Sequence, residues 1–223
     1  MKKIKQIFLD LDGPLLDGKY RHYSCYSYIL KKYGFSAIAL DEYWEKKRSL
    51  LNRRDLLQLS NASSIYDEYL DDWLSLIESQ EFLALDKVQE GAIDCLRAWK
   101  SLGVNLVLVT LRKNKEAVEE QLHLQGLASL LDTILVCDHV SGGLGKANAV
   151  RNCQDVEIMT ENSVWVGDTE VDWEAARSLG VDIILVENGL RNKAYLEQMQ
   201  GSTVVPSIQH AMKLFGLTLD LSR

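Results

Sequence analysis

No C-x-x-C pair occurs among Cys25, Cys95, Cys137 and Cys153, and their spacing fits no metal-ligand pattern. They read as reduced thiols, which, with no recognisable secretory signal, is the expectation for a cytoplasmic protein. The opening MKKIKQIFLDLDG is basic and then apolar, but its apolar run is too short for a leader and two aspartates interrupt it. Nowhere do about 18 apolar residues run uninterrupted, so no membrane span is expected. Clustered lysine and arginine are missing too. Lys+Arg 25 against Asp+Glu 32 leaves a net charge of −7, which argues against a nucleic-acid partner, since phosphate backbones attract basic patches. His22, His123, His139 and His210 show no ligand spacing and read as structural or surface residues. Internal repeats and low-complexity segments are absent.

What is present is an ordinary globular composition, 47% apolar and 26% charged over 223 residues. That length suits one large domain, or one domain carrying a smaller insertion. Apolar β-type runs stand at Ile4–Leu9, Val104–Val109, Thr133–Val136, Ser163–Val166, Asp182–Val186 and Thr203–Val205. Helical spacing fills Glu90–Leu102, Lys113–Gln125, Lys146–Asn152 and Glu170–Leu179 between them. Strands apolar throughout, alternating with helices, predict a doubly wound parallel α/β sheet covered on both faces. From about Gly18 to Asp86 the rhythm breaks. Tyr23–Tyr33, Asp41–Leu50, Arg54–Leu59 and Ile65–Ser79 read as helices, with aromatic and aliphatic residues at three- and four-residue spacing. The expected organisation is a core of residues 1–17 and 87–223 with an inserted helical module at 18–86.

Ligands of open α/β sheets bind at the carboxyl ends of the strands. Asp10 and Asp12 follow the first run, in IFLDLDGPLLD. Thr110 follows the second, in LVLVTLR. Asp168 follows the fourth, in VWVGDTEVDWEAAR, with Asp172 four residues on, and Lys146 opens a helix after GGLG. Singly, each aspartate or threonine reads as a turn former or helix cap, and the lysine as a solvated side chain. Two close carboxylates perturb each other's ionisation, so the conjunction points to chemistry rather than to turns.

These motifs resemble the haloacid dehalogenase superfamily, whose members are mostly phosphatases. DLDGPL is similar to its first motif, D-x-D-G-T-L; VLVT to its second; Lys146 to its third; and VGDTEVDWEAARSLGV to its fourth, G-D-x-x-x-D. The motifs run in the family's order from Asp10 to Asp172. The long interval between the first two resembles the phosphoglycolate phosphatase-like members, which carry a helical cap there. The resemblance implies a Mg²⁺-dependent hydrolysis of a small phosphorylated metabolite. Asp10 would be the nucleophile, forming an aspartyl-phosphate, and Asp12 the general acid and base. The metal would be held by Asp10, the main-chain carbonyl of Asp12, and Asp168, all hard oxygen ligands suited to Mg²⁺. Thr110, with the backbone about Leu11 and Leu111, would hold the phosphate oxygens. Lys146 would neutralise charge and Asp172 would orient Lys146 or a water. Gly167 would leave room for ion or phosphate.

Some features depart from the family's pattern. Pro14 replaces the usual threonine, losing an amide and a hydroxyl. The proline common after the motif lysine is absent. Arg112 is read as either a phosphate contact or a solvated side chain. Arg53 and Arg54 read as a solvated helix start, with contact to a substrate anion as the alternative, and the insert's aromatics read as packing. GGLGKA fails as a P-loop, because positions 140 and 147 are Val140 and Ala147. A dehalogenase is disfavoured by Asp12 and Asp168, and a phospho-accepting receiver by the chain's length and the paired acids. A phosphomutase, or a non-catalytic phosphoryl-binding or signalling protein, stays as the alternative. Oligomeric state is left open.

Overall fold

The computed structural model describes residues 3–137 and 139–214. Its centre is a six-stranded sheet in which every neighbouring pair is parallel. The strands are β1 (Gln6–Leu9), β4 (Asn105–Thr110), β5 (Thr133–Val136), β6 (Ser163–Gly167), β7 (Asp182–Val186) and β8 (Ser202–Val205), in the spatial order β5-β4-β1-β6-β7-β8. Two further strands, β2 (Leu16–Asp17) and β3 (Lys87–Val88), form a separate antiparallel pair. The chain order crosses β1 and turns outward on both sides, so the switch point lies between β1 and its neighbours. Asp10, Thr110 and Asp168 sit there, at or just beyond the carboxyl ends of β1, β4 and β6.

Side chains on a strand alternate between faces, and each strand here feeds two cores. Ile7 and Leu9 of β1, Leu106 and Leu108 of β4, and Val164 and Val166 of β6 pack into one core. It is covered by α6 (Ala92–Ser101), α7 (Lys115–Leu124) and α11 (Ile208–Leu214). Phe8, Val107, Val109 and Trp165 enter the other, under α8 (Gly142–Asn152), α9 (Glu170–Leu179) and α10 (Lys193–Leu196). Phe8 and Trp165 stack there at 5.5 Å. Burial on both faces explains why these strands read as unbroken apolar runs. Each fully buried Leu, Ile or Phe contributes about 1.5–3 kcal/mol.

Between β2 and β3 lie α1 (Lys19–Lys32), α2 (Leu40–Arg48), α3 (Arg53–Leu59), α4 (Tyr66–Leu76) and α5 (Gln80–Leu83). They share a third core of Cys25, Tyr26, Ile29, Tyr43, Leu57, Tyr69 and Trp73, separate from the other two. The four cysteines are unbridged, three of them buried. No helix of the described residues is long and apolar enough to cross a membrane.

One helix starts earlier than its sequence suggests. GGLG reads as a loop because glycine disfavours helix, yet α8 begins at Gly142, and Lys146 falls in its second turn. The glycines let α8 lie against α9: a Cβ on Gly143 would stand 2.4 Å from the carbonyl oxygen of Val171. Packing overrides propensity here.

Candidate active site

The sheet brings Asp10, Asp168, Asp172 and Lys146 together, and all four are buried. Asp10 Oδ1 accepts the Leu11 N–H at 2.8 Å and pairs with Lys146 Nζ at 2.9 Å. Lys146 Nζ also donates to Asp172 Oδ1 at 2.8 Å. Burial works against the lysine's charge, but Asp10 and Asp172 outweigh it and hold Lys146 above its ordinary range. Burial, and then the Asp172 carboxylate, push Asp10 up to about 7 against the pull of Lys146.

Asp172 is saturated by donors. Its Oδ2 takes the N–H groups of Asp168 and Thr169 and the Thr169 hydroxyl, while Oδ1 takes Lys146 and the Trp165 indole. A carboxylate so occupied orients its neighbours. Gly167 serves this arrangement rather than space for an ion, because a Cβ there would lie 2.2 Å from Asp172 Cγ.

Asp168 is different. Its Oδ2 accepts the Leu190 N–H, but its Oδ1 is buried without a hydrogen-bond partner. Burial and then Asp172 and Asp10 push its carboxyl well above the ordinary range. Two glycines make the space: a Cβ on Gly13 would approach Asp168 Cγ to 2.3 Å, and one on Gly189 would approach Oδ2 to 2.1 Å. Gly13 also has φ +94°, open mainly to glycine. Oxygens of Asp10, Asp168 and Asp172 all lie within 4.8 Å of one another. An orphaned carboxylate oxygen facing other carboxylates fits a hard divalent cation. The set holds no histidine or cysteine, which favours Mg²⁺ over Zn²⁺.

Asp12 is engaged otherwise than the motif implies. Arg112 Nε donates to its Oδ2 at 2.8 Å and Arg112 NH2 to its Oδ1 at 2.7 Å. Arg21 NH2, from α1, donates to Oδ1 at 2.6 Å. Burial would raise this carboxyl, but Arg112 and Arg21 outweigh it and hold it down to about 2. Both arginines continue to Asp86, which is fully buried and also accepts from Gln121. Arg112 is therefore neither solvated nor free for phosphate in this conformation. The Leu11 amide is likewise spent on Asp10. Leu111 lies half-buried against the core. Thr110 is buried, and among the described residues nothing hydrogen-bonds its hydroxyl.

Arg21, Asp86 and the loop Asn188–Leu190 escape the sequence reading. Arg21 and Asp86 stand 65 residues apart and meet only in the fold. The loop did carry a signal, being a polar turn just past the carboxyl end of β7, and Asn188 Oδ1 is a second buried acceptor without a partner.

Paired carboxylates and a buried lysine at the switch point of a parallel sheet are the setting of an enzyme site. The chain belongs to the haloacid dehalogenase-like hydrolases, whose family model matches residues 7–186. It is 27% identical over 230 residues to a phosphoglycolate phosphatase of Nitrosospira multiformis, covering 95% of each chain. A phosphoglycolate phosphatase of Rhodobacter capsulatus is 21% identical over 194 residues, covering 83% of this chain and 85% of its own. Among solved structures, a haloacid dehalogenase-like hydrolase from Streptococcus pneumoniae superposes with a TM-score of 0.74 at 18% identity. That match covers 96% of this chain and 100% of the other. The protein is thus a hydrolase of the phosphatase type.

Proposed function

We propose that the protein hydrolyses a small phosphorylated metabolite with Mg²⁺, through a phosphoryl group carried on Asp10. The observation that carries this is Asp10 itself, a buried carboxylate held by Lys146 and facing the orphaned oxygen of Asp168. Asp10, Asp168 and the Asp12 carbonyl would hold the cation. Bound there, the ion supplies charge neutralisation for an anion attacking an anion.

This chain's residues do the rest. A carboxylate oxygen of Asp10 attacks phosphorus, and the bond to the ester oxygen breaks. Lys146 holds Asp10 and offsets the charge of the phosphate oxygens, and the free hydroxyl of Thr110 binds one of them. Asp172 keeps Lys146 aimed. The leaving oxygen takes a proton from Asp12, which then accepts one from the water that attacks phosphorus and frees Asp10. As placed, Asp12 is an ionised partner of two arginines. Its acid role therefore requires the substrate to draw Arg21 or Arg112 to itself. The helical insert, residues 18–86, acts as a cap. Its Arg21 touches Asp12, and its Arg48 donates to the carbonyl oxygens of Glu187 and Arg191 beside the site.

Screening phosphorylated metabolites with Mg²⁺ for free phosphate tests the proposal. Asp10→Asn should fold normally and lose at least about 10³ in turnover, the scale of losing a central covalent group. Near-normal release by folded Asp10→Asn would sink it.

A further inference from the structure

A pocket of about 290 Å³ opens where the insert returns to the core, and none of the residues assigned to catalysis lines it. One wall is the end of α5, with Leu83 and Ala84. The other is α7 and the residue after it, with Ala117, Gln121, Leu124 and Gln125. The lining is mostly apolar, and its one charged residue is Glu120, which already accepts from Gln80 Nε2 at 3.0 Å.

One polar atom of this wall is unmet. Gln121 is only 6% exposed, and its Oε1 is buried without a hydrogen-bond partner among the described residues. Its Nε2 donates to the Leu83 carbonyl oxygen at 3.0 Å and to Asp86 Oδ2 at 2.9 Å. A carbonyl only accepts, so the amide cannot turn round, and the orphaned atom is an acceptor. A buried acceptor left unmet is costly, and a donor that reaches it recovers the loss.

The same wall leads to the catalytic end. Gln125 Nε2 donates to the main-chain oxygen of Asp86 at 3.2 Å, so two glutamines of the pocket hold Asp86, one by its side chain and one by its backbone. Asp86 in turn holds Arg21 Nε at 2.8 Å and Arg112 NH2 at 3.2 Å, and both arginines grip Asp12. Hydrogen bonds thus run unbroken from the pocket to Asp12.

We propose that this pocket binds a small, uncharged, mostly apolar molecule carrying one N–H or O–H donor, which bonds to Gln121 Oε1 and holds Asp86 and its two arginines on Asp12, restraining the reaction from a distance. The restraint rests on the phosphatase reading above; the binding does not. The chemistry of the occupant follows from the walls. Apolar sides favour a ring or a short chain, the single unmet acceptor calls for a single donor, and Glu120 disfavours an anion. Once bound, the donor polarises the amide and strengthens its N–H bonds to Leu83 and Asp86, and the ligand bridges α5 to α7. Both effects favour the arrangement in which Arg21 and Arg112 stay on Asp12, the one that substrate must undo. The ligand acts through its preference for that state.

Indole and benzothiophene serve as probes, alike in shape, one with an N–H and one without. Titrated into the whole protein with Mg²⁺ and followed by amide chemical shifts, indole should bind about five- to tenfold tighter, the scale of one hydrogen bond, with shifts centred on Leu83, Ala117 and Gln121. Gln121→Met should level the two affinities. Ala84→Phe should fill the pocket and weaken both. Ala84 is exposed, so this variant keeps the test decisive should Gln121→Met fold poorly. Hydrogen exchange at the Nε–H groups of Arg21 and Arg112 should slow when indole is bound, which reads the link to Asp12 without turnover. Phosphate release from an aryl phosphate should fall as indole saturates the protein, and should not respond to indole in Ala84→Phe. Equal affinities for the two probes, a preference that survives Gln121→Met, or indole binding undiminished in Ala84→Phe would overturn the site. So would a concentration-dependent dimer that excludes indole, which would make the pocket a contact between copies. Arginine exchange or phosphate release unchanged by saturating indole would overturn the restraint. No phosphate release from any substrate, with indole bound and both arginines protected, would count against the phosphatase reading alone.

Discussion

At the scale of single residues, environment sorts chemically identical aspartates into different tasks. Asp10 is pushed up to about 7, Asp12 is held down to about 2, and Asp172 is covered by donors. The motif D-x-D-G showed two acids but not their partners, because Arg21, Asp86 and Arg112 reach Asp12 through the fold rather than along the chain. The glycines around Asp168 are equally consequential. Gly189→Ala would put a methyl 2.1 Å from Asp168 Oδ2, far inside contact distance. Asp168 must then move, and since catalytic groups work only when well placed, we expect turnover to fall roughly 10²-fold with the requirement for Mg²⁺ raised. A Mg²⁺ titration of phosphate release checks this, and an unchanged titration would contradict the assigned role of Asp168. Arg21 carries a stability prediction. Removing it leaves Asp86 fully buried with Arg112 and Gln121 only. Breaking a buried ion pair costs about 3–5 kcal/mol, so Arg21→Met should lower the urea midpoint markedly, and no change would show the pair to be dispensable.

Among elements, those whose pattern is local were legible and those set by distant pairing were not. The six core strands and the helices α6, α7 and α9 announce themselves by apolar runs and helical spacing, with bounds within a residue or two of where expected, whereas α10 and α11 were not read from the sequence. β2 and β3 are two residues each and exist only because Leu16 meets Val88 and Asp17 meets Lys87. The one-turn α5 has no periodicity to read. The start of α8 was hidden because Gly143 obeys a demand made by α9. That demand can be tested. Gly143→Ala should raise intrinsic helix propensity by about 1 kcal/mol, yet its methyl would meet Val171 and Glu174 at 2.4–2.6 Å. The net effect should be destabilising, with Lys146 displaced and activity reduced. A higher melting temperature for Gly143→Ala would show that α8 and α9 have slack between them.

For the whole molecule, the acidic cluster ties stability to pH and to metal. In the unfolded chain Asp10 ionises near 3.8, and in the metal-free fold near 7. Between these values the folded protein keeps a proton that the unfolded chain has released. The metal-free fold is therefore favoured below that window and loses this advantage as pH rises through about 7. A cation bound to the ionised carboxylates should reverse the loss. The melting-temperature increment given by Mg²⁺ over EDTA should accordingly be small at pH 5 and larger at pH 8. An increment independent of pH would argue against Asp10 as a ligand. Molecular architecture has one more implication, held in the short pairing of β2 with β3. It sets Asp17 opposite Lys87, and opposed residues of an antiparallel ladder stand only about 4.5–5.5 Å apart. The whole insert therefore leaves and rejoins the core through a single doorway that a two-residue hairpin turn could seal. The insert has its own core, yet its Arg21 pairs with Asp12, so exchanging the insert would also rewrite the charge around Asp12.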